Sequence, residues 1–76
     1  MSVSIYSQPN CVYCNMAKDL AKQHNLEITE YVIGKDITKE LFFELLPNAR
    51  SVPQIYVNSI YVGGYQEFKD YVRDHI

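Results

Sequence analysis

Cys11-Val12-Tyr13-Cys14 holds the only 2 cysteines of this 76-residue chain, between an apolar strand-like run and an amphipathic helix-like one. A helix that begins at or just after Cys11 places the first thiol where unpaired backbone N–H groups and the positive end of the helix dipole converge. That favours an anion, and it predicts thiolate character near neutral pH. Cys14, at i+3 on the same face with Cβ atoms about 5–6 Å apart, is within reach of a mixed disulfide formed on Cys11. The spacing therefore points to thiol–disulfide exchange, with Cys11 attacking and Cys14 resolving.

Other uses of two cysteines fit less well. A structural zinc site needs four ligands, and beyond the thiols the chain offers only His24 and His75, neither spaced as a second half-site. No metal site is expected. A purely structural disulfide closing one helical turn removes little loop entropy and stabilises little. Two unrelated core thiols stay open as an alternative, because free cysteine is a common apolar filler.

The chain length bounds one domain, residues 1–76, with a single small core. A hydrophobic share of 47% is that of an ordinary globular protein. There is no apolar run of about 18 residues to span a membrane, and Met1-Ser2-Val3-Ser4-Ile5 lacks the basic and apolar regions of a signal peptide. A reducing, cytoplasmic location is the expectation, where a lone C-x-x-C is more often catalytic than structural. A net charge of −2 without a block of Lys or Arg argues against nucleic acid as a partner.

The elements that must hold the thiols follow from period and punctuation. Val3, Ile5 and Tyr6 read as a first strand ended by Gln8-Pro9-Asn10, with Asn10 offered as the helix N-cap. Met16, Ala17, Leu20 and Ala21 recur at helical spacing to about His24, where Asn25 stops the helix. His24 reads better as a charge partner for the helix C-terminus than as a ligand or base. Leu26 to Ile33 suits a second strand covered on both faces. After Gly34-Lys35-Asp36, Thr38 caps a short helix with the stripe Leu41, Phe42 and Leu45, ended by Pro47-Asn48. Gln54–Val57 and Ile60–Val62 form a hairpin around Asn58-Ser59. Gly63-Gly64 then leads into a last helix faced by Tyr65, Phe68, Tyr71 and Val72. The order β-α-β-α-β-β-α predicts an α/β fold: a four-stranded mixed sheet, first pair parallel and last pair antiparallel, flanked by three helices.

Three landmarks in this order resemble the small dithiol glutaredoxins of the thioredoxin fold across nearly the whole chain: Cys11-Val12-Tyr13-Cys14, Ser51-Val52-Pro53-Gln54-Ile55, and Gly63-Gly64-Tyr65. Read alone, Pro53 is an ordinary trans proline opening an edge strand, and the glycines end a hairpin. The resemblance implies instead a cis Val52-Pro53 bond that turns the Val52 backbone toward the thiols, where it pairs with the cysteinyl part of glutathione as an added strand. It also implies that Gly64, Tyr65, Gln66 and Glu67 receive the γ-glutamyl end at a helix N-terminus, and that Tyr13 flanks the ligand. Arg50, and more loosely Lys18, supplies positive charge for the carboxylates or is simply a solvated surface cation.

Some positions depart from the family pattern. Val12 stands where proline is usual and restores an N–H near the Cys11 sulfur, Gln8 where lysine is common, and Gln66-Glu67 where Thr or Asp precedes Asp. Weaker glutathione binding is the expected consequence. The implied function is glutathione-dependent reduction of protein disulfides and glutathione mixed disulfides by a monomer, with glutathione as reductant, no bound cofactor, and a role in electron transport and cell redox homeostasis. Disulfide-bearing proteins are the implied substrates, with ribonucleotide reductase as a usual partner of the family. Two alternatives are a redoxin recharged by thioredoxin reductase, and a carrier holding a [2Fe–2S] cluster between Cys11 thiolates of two subunits with glutathione.

Overall fold

A computed structural model describes all residues 1–76. In chain order its elements are β1 (Ser2–Ser7), α1 (Val12–Gln23), β2 (Glu27–Val32), α2 (Lys39–Leu45), β3 (Gln54–Val57), β4 (Ile60–Gly63) and α3 (Tyr65–His75). The strands form one sheet in the order β2-β1-β3-β4, with β1 parallel to β2 and antiparallel to β3, and β3 antiparallel to β4. This is the mixed four-stranded sheet and three-helix arrangement of the thioredoxin fold, as the element order predicts.

Alternation along β1 sends Val3, Ile5 and Ser7 to one face, where all three are buried. On that face they meet Ala17 and Ala21 of α1, Ile55 and Val57 of β3, and Phe68 and Val72 of α3. The two alanines let α1 lie close against the sheet, and Phe68, fully buried, fills the remaining space. Phe68→Ala is expected to destabilise the protein by about 3–5 kcal/mol, a loss comparable to the whole stability of a domain this small. Denaturant midpoints of the variant and wild type check this.

The other face of the sheet carries a row of aromatic rings. Tyr6 of β1 stacks on Tyr31 of β2 at 5.1 Å, and meets Phe42 of α2 at 5.9 Å and Tyr56 of β3 at 6.0 Å between centroids. Burial, and then the neighbouring Tyr56 and Tyr31 phenols, raise the Tyr6 pKa above its usual value. Phe42 is the one buried residue of α2, so that helix rests on the sheet through a single anchor.

Two expectations are corrected. The second strand is not covered on both faces: β2 is an edge strand in which exposed Glu27 and Thr29 alternate with half-buried Ile28 and Glu30. Its charged residues suit an edge, where they discourage pairing with another chain. Asn10 is not the N-cap of α1. It takes a left-handed turn with φ 59°, which asparagine tolerates, and Cys11 caps the helix through its own sulfur. The other punctuation holds. Thr38 Oγ1 accepts from the Leu41 N–H at 3.1 Å, Asn25 stops α1 with φ 57°, and Asn58 and Ser59 turn the hairpin with φ of 50° and 69°.

Candidate active site

The turn after β1 delivers Cys11 to the N-terminus of α1 in extended backbone, φ −109° and ψ 108°. Its sulfur accepts the Cys14 N–H at 3.2 Å, so one of the helix's unpaired donors points at the reacting atom. Cys11 and Cys14 are joined by a disulfide with Cα atoms 5.2 Å apart. Cys11 is half-buried, whereas Cys14 is 1% exposed. Only the first sulfur is open to attack from outside; the second stands behind it on the next turn.

Val52-Pro53 is cis, as the resemblance implies. The Val52 carbonyl lies 3.8 Å from the Cys11 sulfur, and neither its C=O nor its N–H pairs with the protein's own backbone. The edge presented to the thiols is therefore free for an extended peptide. Gln54, 6% exposed, braces this loop from below. Its Nε2 donates to the Ser51 carbonyl at 2.7 Å, and its Oε1 accepts from the Tyr61 hydroxyl.

An open groove of about 490 Å³ runs along Val52 and Pro53, between Tyr13 on one side and Gly64, Tyr65, Gln66 and Glu67 on the other. The Tyr13 and Tyr65 rings stand 5.9 Å apart at its wall. Ser51, which opens the second landmark and has no binding role implied by the resemblance, also lines it. At the far end, the Phe68 N–H makes the first backbone bond of α3, to the Gly64 carbonyl, so the N–H groups of Tyr65, Gln66 and Glu67 lack helical partners. Glu67 turns back on its own helix, its Oε1 accepting the Gly64 N–H at 2.8 Å. Gly63, with φ 118°, has no room for a side chain, since a Cβ there would meet Glu67 at 3.0 Å.

Arg50 and Lys18 are placed elsewhere. Arg50 lines a neighbouring hollow of about 300 Å³ on the other side of Ser51-Val52, together with Gln8, Lys39, Phe42 and Phe43. Lys18 pairs with Glu30 of β2 at 3.0 Å and is not among the groove's residues. Glu30 also accepts a 2.6 Å bond from the buried Ser7 hydroxyl. The Ser7 hydrogen bond first, and then Lys18, hold its carboxyl below the usual range. A carboxyl with a depressed folded pKa stabilises the fold above its unfolded pKa of about 4.3, and that stability is lost as pH falls through the folded value. Glu30→Gln is accordingly expected to lose about 1–2 kcal/mol at neutral pH. The difference from wild type should vanish in acid below the folded pKa, as followed by denaturant midpoints across pH.

Nowhere in the structure do three or more His, Cys, Asp or Glu side chains gather as a metal-binding group. The glutaredoxin family model matches residues 3–62, which include both thiols and the Val52-Pro53 turn. The chain belongs to the glutaredoxin family. It is 31% identical over 83 residues to glutaredoxin 1 of Escherichia coli, covering 100% of this chain and 98% of that protein. It also matches the hybrid peroxiredoxin hyPrx5 of Haemophilus influenzae at 29% identity, over 92% of this chain but only 29% of that protein. Among solved structures, glutaredoxin 1 of Francisella tularensis complexed with cacodylate superimposes with a TM-score of 0.82 at 25% identity, covering 96% of this chain and 93% of that one. With its Cys-x-x-Cys pair, this glutaredoxin-family chain is a thiol–disulfide oxidoreductase. No helix in it is long and apolar enough to cross a membrane.

Proposed function

We propose that the chain uses glutathione as its electron donor to reduce protein disulfides and glutathione mixed disulfides. The observation that carries this is a half-buried cysteine at a helix N-terminus, its sulfur 3.8 Å from the unpaired Val52 carbonyl, which lines a groove that runs to a second helix N-terminus. That spacing suits an extended tripeptide. Its cysteinyl residue pairs with Val52, and its γ-glutamyl carboxylate meets the free N–H groups at the start of α3. Glu67 Oε1 is occupied by Gly64, which leaves Oε2 to accept from the glutathione amino group. The glycyl end leaves on the Arg50 side.

In the dithiol form the Cys11 thiolate attacks one sulfur of a substrate disulfide, forming a Cys11–substrate mixed disulfide and expelling the other substrate sulfur as a thiolate, which takes up a proton. Cys14 then loses its proton and attacks the Cys11 sulfur. The substrate leaves as a thiol, and the two electrons that reduced it come from the pair, now a disulfide. One glutathione thiolate opens that disulfide at Cys11. A second attacks the Cys11–glutathione bond, releasing glutathione disulfide and restoring the dithiol.

The chain acts as a cytoplasmic monomer on this reading, and ribonucleotide reductase is the first protein substrate to try. The test couples reduction of hydroxyethyl disulfide to NADPH through glutathione with glutathione reductase, and separately through thioredoxin reductase. Turnover only with the glutathione system supports the proposal, and turnover only with thioredoxin reductase overturns it. A brown, dimeric product of anaerobic purification that turns over with neither system would favour the iron–sulfur carrier.

A further inference from the structure

The hollow of about 300 Å³ on the Arg50 side of Val52 combines apolar and cationic walls. Its walls include Ile33, Phe42 and Phe43, and Phe43 leaves 42% of its surface exposed. Lys39 and Arg50 stand among them. The chain's ion pairs use Lys18 and Arg73, so both of these cations are unpaired, and no carboxylate lines the hollow. In a chain of net charge −2 this is a local reversal of sign.

The hollow and the glutathione groove share Ser51 and Val52, so one extended peptide paired with Val52 reaches both. Peptide direction then decides what enters each. With the γ-glutamyl end at α3, whatever follows the cysteine in sequence passes over the hollow. In glutathione that is glycine, which has no side chain to cover the exposed Phe43 ring. We infer that the hollow bounded by Phe43, Lys39 and Arg50 selects protein substrates that carry a large apolar side chain and an adjacent carboxylate within two residues after the reactive cysteine. The inference rests on the exchange reaction and binding direction of the proposed function, and adds a substrate class to it.

The test is a single-turnover reaction of the dithiol protein, prepared with dithiothreitol and freed of it, so that no glutathione reductant is needed. Two peptides are compared as their symmetrical disulfides, so that Cys11 can attack only a peptide sulfur: Ala-Cys-Phe-Glu-Ala and Ala-Cys-Gly-Gln-Ala, each amidated at the C-terminus, with hydroxyethyl disulfide as a small reference. The first peptide is expected to react about tenfold faster than the second, from partial burial of one ring and two charge contacts. Phe43→Ala and Lys39→Gln should each cut that preference by about threefold or more, leaving the rate with hydroxyethyl disulfide unchanged. Equal rates for the two peptides, with hydroxyethyl disulfide still reduced, would overturn the inference alone. Failure to reduce any of the three would overturn the exchange reaction and the inference with it. Concentration-dependent dimerisation of wild type that Phe43→Ala abolishes would give the hollow to a second copy of the chain and overturn the peptide assignment.

Discussion

Cys11→Ser is expected to abolish disulfide exchange, lowering kcat/KM by on the order of 10³-fold or more with every disulfide substrate. A serine hydroxyl at this position is not ionised near neutral pH and forms no exchangeable bond to sulfur, so neither the helix N-terminus nor the Val52 edge has a nucleophile to serve. Cys14 does not substitute, because at 1% exposure it cannot meet an incoming disulfide. The fold itself should survive, since Cys11 lies outside the core cluster and serine is a good N-cap for α1. The hydroxyethyl disulfide assay, with circular dichroism to confirm folding, checks both parts.

Cys14→Ser should give a different, substrate-dependent result. Reduction of small glutathione mixed disulfides needs only Cys11 and a second glutathione, and should stay within about twofold of wild type if chemistry at Cys11 limits the rate. Reduction of a protein disulfide by the two-thiol route should be lost, because a substrate held on Cys11 has no internal thiolate to displace it. The trapped species is then a stable Cys11–protein mixed disulfide, visible as a mass shift that dithiothreitol reverses. Loss of both activities in Cys14→Ser would overturn the assignment of attacking and resolving sulfurs.

Much of this geometry was legible in the chain because it depends on local signals. Helical spacing of Ala17 and Ala21, the Thr38 cap and the Asn58-Ser59 turn each act within a few residues, and the parallel first pair and antiparallel last pair of strands follow from how such elements can be joined. What was not legible depends on long-range packing. The edge position of β2 is decided by which strand β1 takes as its second partner, although Glu27, Thr29 and Glu30 were a usable hint. The aromatic row brings Tyr6, Tyr31 and Tyr56 from three strands to one face, which no single run of sequence displays.

The site shows the same division. Cys11, Tyr13, Val52 and Gly64 stand out by motif; the fold brings the last three to one groove and sets the Cys11 sulfur 3.8 Å from the Val52 carbonyl that lines it. Arg50 carries the same charge wherever it points, so spacing could not show that it borders the neighbouring hollow. The resemblance gives Glu67 to the γ-glutamyl end of the ligand; an acid at the third position of a helix also often turns back to its cap, and here one of its oxygens does. Lys18 was drawn to Glu30 by a pairing across elements 12 residues apart in sequence.

The most direct measurement is an ultraviolet titration of the fully reduced protein, following thiolate absorbance with pH and using Cys14→Ser to assign the signal. One thiol is expected to ionise well below the reference value of about 8.5, and it should be Cys11, held by the Cys14 N–H and the α1 dipole. A Cys11 thiol that titrates at or above that reference would contradict the account, because nothing would then distinguish this sulfur from that of an unstructured peptide.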